Sequence, residues 1–214
     1  MRFDEAVARL ASIPDTLPPP SDTLAGSFVE GGDGTGPRPR FPDPGPDAVD
    51  ASVLVLVYPD DEGVARVVQT ERVSRDGHHS GEVSFPGGRA EDDDADEAAT
   101  ALREAYEEVG LDAAAAGVRV VGRLESFWIP VSNFRVTPVV AVAEQRPIMT
   151  ASPAEVARIL EPPLSAFLPD APVEYMERTF RGWRIRFGAY PIEGLQVWGA
   201  TARVLSQLGA LLAR

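Results

Sequence analysis

The 214-residue chain has no cysteine and no lysine, and only two histidines. Without thiols it cannot carry a disulfide framework, a cysteine-ligated zinc or iron–sulfur centre, or a thiol nucleophile. All 20 basic residues are arginine and face 33 acidic ones, a formal net charge of −13. Such an acid excess repels phosphate backbones, which excludes a protein that coats nucleic acid through a basic face. No apolar run approaches the roughly 18 residues of a membrane-spanning helix, so no membrane partner is expected. The opening residues, Met1-Arg2-Phe3-Asp4-Glu5, carry acid where a secretory signal has a basic and then an apolar segment. A cytoplasmic protein is therefore expected. The abundance of Ala, Pro, Gly and Arg assigns the missing lysine to coding bias rather than to chemistry. What is present suffices for a core: 44% of the residues are apolar, so the chain is not disordered throughout.

Two stretches differ in texture. Phe3, Ala6, Val7 and Leu10 fall at helical spacing, which predicts a short helix over residues 2–12. Pro18-Pro19-Pro20 and a mixture of Gly and Pro between Gly31 and Pro46 then read as an extended arm. Residues 1–50 are thus read as an N-terminal helix and Pro/Gly-rich arm, and residues 51–214 as the domain. Ser52–Tyr58 is a β-branched apolar run suited to a buried strand, with Val64–Thr70 as its hairpin partner. Residues 95–109 read as a helix stopped by Gly110. Further strands are predicted at Val118–Val121, Leu124–Trp128, Val136–Val142 and Trp183–Phe187. Pro153–Leu160 reads as a short helix, and Ala200–Ala213 as a terminal helix with Ala202, Leu205, Leu208 and Leu212 on one face. Trp128, Phe134 and Trp183 are read as core residues, with one of them open to stacking on a base. The mixture fits an α+β fold, an α/β/α sandwich, better than a doubly wound parallel sheet.

The chemistry concentrates between Gly81 and Leu111. Glu104, Glu107 and Glu108 sit at i, i+3 and i+4, so three like charges share one helical face and repel. Residues 91–108 hold nine acids and one arginine. A hard divalent cation neutralises such a cluster, and Mg²⁺ takes carboxylate oxygens while bridging to phosphates. Arg103 and Glu107 form an i, i+4 pair that orients a carboxylate. Upstream, Phe85-Pro86-Gly87-Gly88 places two glycines after a rigid proline, which brings bare backbone close to a metal or a phosphate.

This segment resembles the Nudix box, G-x5-E-x7-R-E-U-x-E-E-x-G-U with U aliphatic, of the Nudix hydrolase family. Gly88, Arg103, Glu104, Glu107, Glu108, Gly110 and Leu111 match it. The spacing from Gly88 to Arg103 is one residue longer than the general pattern, Ala95 stands at the upstream Glu position, and Ala105 fills the first U. The coenzyme A diphosphatase branch shares the longer loop with an acid at the position of Asp94, which makes Asp94 the stand-in. The branch also carries L-L-T-x-R-[SA]-x3-R-x3-G-x3-F-P-G-G, matched here by Thr70, Arg72, Gly81 and Phe85 through Gly88. Gln69 replaces a Leu, Val73 the small residue, and Gly77 the second Arg, with Arg75 two residues away.

The resemblance implies a Nudix-type α/β/α sandwich with a mixed β-sheet and a Mg²⁺ or Mn²⁺ cofactor. It implies metal ligands at Glu104, Glu107, Glu108 and the Gly87 carbonyl, with Arg103 orienting a Glu. Glu104 or Glu155 is the candidate general base; the plain alternative for Glu155 is a first-turn helix acid. Arg72 and Arg75 are candidates for the substrate phosphates. His78 and His79 are adjacent and cannot form a shared metal pair, so only His79 is kept, as a substrate contact. The implied reaction is hydrolysis of the diphosphate in coenzyme A or its thioesters, giving 3′,5′-ADP and a 4′-phosphopantetheine product. The alternatives are ADP-ribose, a dinucleotide or a nucleoside diphosphate sugar as substrate, or a non-catalytic Nudix-fold ligand-binding module. The partner expected is a small nucleoside diphosphate-type molecule, and a homodimer is compatible with this reading.

Overall fold

A computed structural model describes residues 1–29, 47–73, 82–180 and 183–214. The chain order begins with helix α1 (Phe3–Leu10) and strands β1 (Ser27–Phe28), β2 (Val49–Pro59), β3 (Ala65–Val67), β4 (Gln69–Arg72), β5 (Val83–Ser84) and β6 (Gly87–Arg89). Helix α2 (Glu97–Val109) follows, then β7 (Arg119–Arg123), β8 (Phe127–Ile129), β9 (Phe134–Val142) and β10 (Val156–Leu160). The rest comprises β11 (Glu174–Phe180), β12 (Trp183–Ile192), β13 (Leu195–Val197) and α3 (Gly199–Leu212). Among the described residues no helix is long and apolar enough to cross a membrane.

Strand β2 is the axis of the molecule. It pairs in parallel with β9 from Val49↔Phe134 to Val57↔Val142, and its other edge carries β6 near its start and β3 near its end, both antiparallel. Because side chains alternate along a strand, this apolar run feeds two cores at once. Val55 and Val57 pack with Val140, α1 (Phe3, Ala6, Leu10) and α3 (Ala202, Leu205, Leu208, Leu212). Leu54, Leu56 and Tyr58 pack on the opposite face with Val139 and with Ala101, Ala105 and Val109 of α2. The result is the expected α+β sandwich, helices on both faces of a mixed sheet. Helix α1 is bound into the first core, and the Arg9 guanidinium donates to the Leu212 carbonyl at the end of α3.

Three sequence expectations are corrected. The hairpin partner Val64–Thr70 is divided: β3 pairs with β2, whereas β4 joins β10 and β5 in a second sheet, with fully buried Val68 at the junction. Pro153–Leu160 is not a helix but a turn followed by β10. Its Val156 and Leu160 carry helical spacing, yet a register shift between Val156 and Arg158 sends them to opposite sides of the sheet. The open edge of β4 captures this segment, and tertiary pairing outweighs local periodicity. Trp128, Phe134 and Trp183 are half-buried rather than core, and the core is mainly aliphatic. Residues 30–46, most of the expected arm, lie outside the described residues.

Gln69 is fully buried, and among the described residues neither its side-chain nitrogen nor its oxygen has a hydrogen-bond partner. Its register partner on β10 is Leu160, so it shares an aliphatic face. A buried polar group without a partner costs about 1–3 kcal/mol. Gln69→Leu is therefore expected to stabilise the fold by about 1 kcal/mol or more, read as a higher urea midpoint at unchanged slope.

Candidate active site

Helix α2 begins where the Asp96 side chain accepts a hydrogen bond from the Ala99 N–H at 2.9 Å. It ends at Gly110 in the left-handed region (φ 65°), whose N–H caps the last turn. The small buried residues Ala101 and Ala105 let the helix lie close on the sheet, which brings Glu104 and Glu108 against β6. The two glycines of β6 leave room in different ways, and the backbone contact makes Gly87 the stricter position. A side chain at Gly87 would collide with the β2 backbone, 2.6 Å from Val53 Cα. A side chain at Gly88 would occupy the place of the Glu104 carboxylate, whose carbon would lie 2.6 Å away. The strand is bare where the carboxylate sits.

Arg103 organises one side of the cluster. Its Nε and one terminal nitrogen donate to both Asp94 oxygens at 3.1 and 3.0 Å, and that nitrogen also donates to the Arg89 carbonyl at 2.8 Å. The other terminal nitrogen donates to Glu104 Oε1 at 3.0 Å and to Glu107 at 3.4 Å. The Arg103 hydrogen bonds, reinforced by the Glu91 N–H, hold the Asp94 carboxyl down at about 2. The Asp94 contact in turn raises the guanidinium pKa above its ordinary value. Asp94 thus clasps the loop to the helix, while Glu107, on the same turn, is half-exposed.

Glu104 and Glu108 are held at electrostatic cost. Burial raises the Glu104 carboxyl, with Arg103 opposing and Glu107 and Glu155 adding repulsion. Glu108, whose side chain is 5% exposed, is pushed up to about 7, chiefly by burial. The opposing contacts are Arg72 at 3.9 Å and the Gly87 N–H at 3.4 Å, while Glu104 and Glu155 add repulsion.

Of the sequence candidates, the structure gathers Arg72, Gly87, Arg103, Glu104, Glu107 and Glu108 at this site, with Glu155 close enough to add repulsion to Glu104 and Glu108. Glu155 is not a first-turn helix acid: it lies in the turn before β10, and its carbonyl accepts from the Val73 N–H at 3.0 Å. Arg75, His78, His79 and Gly81 lie outside the described residues. Sequence reasoning missed the struts. Thr150 and Ser152 donate their N–H groups to Val109 and Glu108 carbonyls at 2.8 Å, fixing the turn that carries Glu155 to the end of α2. Arg123 pairs with Glu97 at 3.1 Å at the other end of the helix. Contacts between segments so far apart in the chain leave no local pattern.

The raised Glu108 carboxyl has a measurable sign. Its folded pKa lies above the ordinary 4.5, so the fold is favoured below about pH 4.5 and loses that advantage as pH rises through about 7. In metal-free protein, Glu108→Gln is expected to be more stable than wild type at pH 8, by about 3 kcal/mol at most, with the gap closing near pH 4.5. Urea unfolding in EDTA at both pH values checks this.

The NUDIX domain model matches residues 49–174, more than half of the chain. The chain is 39% identical over 163 residues to Nudix hydrolase 15, mitochondrial, of Arabidopsis thaliana, covering 72% of this chain and 55% of that protein. It is 40% identical over 161 residues to Nudix hydrolase 22, chloroplastic, of the same plant, covering 72% and 52%. To the uncharacterized Nudix hydrolase NudL of Photorhabdus laumondii it is 38% identical over 130 residues, covering 61% and 68%. The chain spans about half the length of the two plant relatives. On the matched family model and these relatives, the chain belongs to the Nudix family.

Proposed function

We propose that this chain hydrolyses a diphosphate linkage with a divalent metal, Mg²⁺ or Mn²⁺, at the site built by β6 and α2. The observation that carries the reading is Glu108, a buried carboxylate packed beside Glu104 and opposed only in part by Arg72. A buried charge of this kind calls for a cation. The donors are hard oxygens, and the bare backbone of Gly87 and Gly88 leaves room beside them. Among the described residues no three acidic or histidine side chains form a ready-made metal cage. Mg²⁺ and Mn²⁺ keep several waters and take oxygens from substrate phosphates, so part of the coordination would come from outside the protein. Glu104, Glu107, Glu108 and the Gly87 carbonyl would hold it. Bound there, it would polarise a phosphoryl oxygen and make a water more acidic.

The chain's own residues supply the rest. Arg103 locks Glu104 through Oε1, so Glu104 serves as a ligand, and Arg103 itself acts as a positioning residue. Arg72, half-exposed at the end of β4, presents a planar guanidinium suited to a phosphate. Glu155, on its anchored turn, is the carboxylate that accepts the proton of the attacking water. In this proposal residues 51–214 form the catalytic unit, and α1 braces its first core.

For the substrate we favour coenzyme A or its thioesters, on the match of Thr70, Arg72, Gly81 and Phe85 through Gly88 to that branch. Arg75 and His79 would add substrate contacts. A second reading, ADP-ribose, a dinucleotide or a nucleoside diphosphate sugar, is favoured by Gln69 and Gly77 where the branch carries Leu and Arg. The intact Glu104, Glu107 and Glu108 weigh against a binding module without catalysis.

Incubation with Mn²⁺ or Mg²⁺ and a panel of coenzyme A, ADP-ribose, NADH, diadenosine polyphosphates and UDP-sugars is expected to release 3′,5′-ADP from coenzyme A. Cleavage of ADP-ribose with coenzyme A untouched would sink the branch assignment, and no cleavage at all would sink the enzyme reading. Glu108→Gln is expected to lower kcat by about 100-fold or more, at least the upper end of what indirect changes near a metal cost.

A further inference from the structure

Among the described residues two arginines face the carboxylate cluster, and they are held in opposite ways. Arg103 is mostly buried and donates to Asp94, Glu104, Glu107 and the Arg89 carbonyl, so its guanidinium cannot leave without breaking several bonds. Among the described residues, Arg72 is anchored at its root. Its N–H donates to the Glu82 carbonyl at 3.0 Å, and its register partner on β10 is Val156. Its side chain is 46% exposed and reaches Glu108 Oε1 at 3.9 Å, a charge contact beyond hydrogen-bond distance.

We propose that Arg72 is the resident counter-ion of Glu108 in the metal-free protein, and that a divalent cation displaces it and so frees it for the substrate's phosphate. This rests on the reading that a cation binds at Glu108. Glu108 is buried, and its ionised form needs a positive charge nearby. A guanidinium and a dication compete for that carboxylate, and the dication binds the oxygens directly. Arg72 gives way easily because its contact is long and its long side chain is half in water, where rotamers are cheap to exchange. Arg103 cannot play this part, since its donors are spent on Asp94 and Glu104. Among the described residues the site therefore has one fixed and one movable guanidinium. The movable one makes metal binding weaker than the carboxylates alone would allow, and it ties substrate capture to a loaded site, metal first and diphosphate second.

The test is calorimetric titration of Mn²⁺ alone into the EDTA-treated full chain. Arg72→Gln removes the competitor and is expected to bind Mn²⁺ about two- to fivefold more tightly than wild type, the scale of a partly exposed ion pair. Arg72→Met, which keeps the aliphatic stem, is expected to do the same. Arg72→Lys keeps the charge and is expected to stay near wild type. In thermal unfolding, Arg72→Gln is expected to melt below wild type in EDTA, with the deficit shrinking or reversing in saturating Mn²⁺. Unchanged or weaker Mn²⁺ binding by Arg72→Gln and Arg72→Met overturns the proposal. So does a lysine variant that behaves like the glutamine one, or a melting deficit that metal does not reduce. Diphosphate cleavage that persists alongside such a result leaves the hydrolase reading standing, whereas absence of Mn²⁺ binding to wild type removes both.

Discussion

One guanidinium makes the acidic turn of α2 foldable. Residues 91–108 carry nine acids, and Arg103 is the single cation among them. Its planar fork binds both oxygens of Asp94 while its other edge meets Glu104 and Glu107. It also reaches the Arg89 carbonyl on β6. Three pieces of chain, the strand after the glycine pair, the acidic loop and the helix, are thereby set at one distance from one another. A lysine, with a single compact ammonium, could not satisfy these partners at once. Asp94 shows the strength of the arrangement, since its carboxyl is held down at about 2.

Glu108 lies on the far side of that arrangement and receives less. Burial pushes its carboxyl up to about 7, and what opposes this is one long contact to Arg72 and one long hydrogen bond from Gly87. Here the fold tolerates electrostatic frustration where a ligand would relieve it, which is how functional sites depart from the consistency of the rest of a chain. Gln69 is the instructive contrast. It too is buried without adequate partners, but its register neighbour is aliphatic Leu160 rather than a cluster of carboxylates. One misfit points at chemistry and the other only at stability.

Rigidity beneath the site comes from the two-sided core. Val55 and Val57 on one face of β2, and Leu54 and Leu56 on the other, are fully buried, so the strand that abuts Gly87 and Gly88 is clamped by helices on both faces. The close approach of α2 depends on Ala101 and Ala105 as much as on the glycines. With larger residues at those positions the carboxylates would stand away from the sheet.

Much of this was legible from local pattern. The apolar alternation of Ser52–Tyr58, the capped helix ending at Gly110 and the apolar face of the terminal helix each depend on residues within a few positions of one another. The spacing of Glu104, Glu107 and Glu108 likewise placed three carboxylates on one stretch of helix after Gly87-Gly88. Tertiary structure decided everything that depends on distant partners. It made a strand of Val156–Leu160, because the edge of β4 offered hydrogen bonds that a short helix could not match. It divided Val64–Thr70 between two sheets and left Trp128, Phe134 and Trp183 half-buried. It also separated the three box carboxylates into one that is half-exposed, one tied to Arg103 and one buried opposite Arg72. The sequence determined which charges meet on one helical turn, because helical spacing is local. Only the folded chain decided how much water each keeps and which cation answers it, because burial and Coulomb partners are set by residues brought together across the fold.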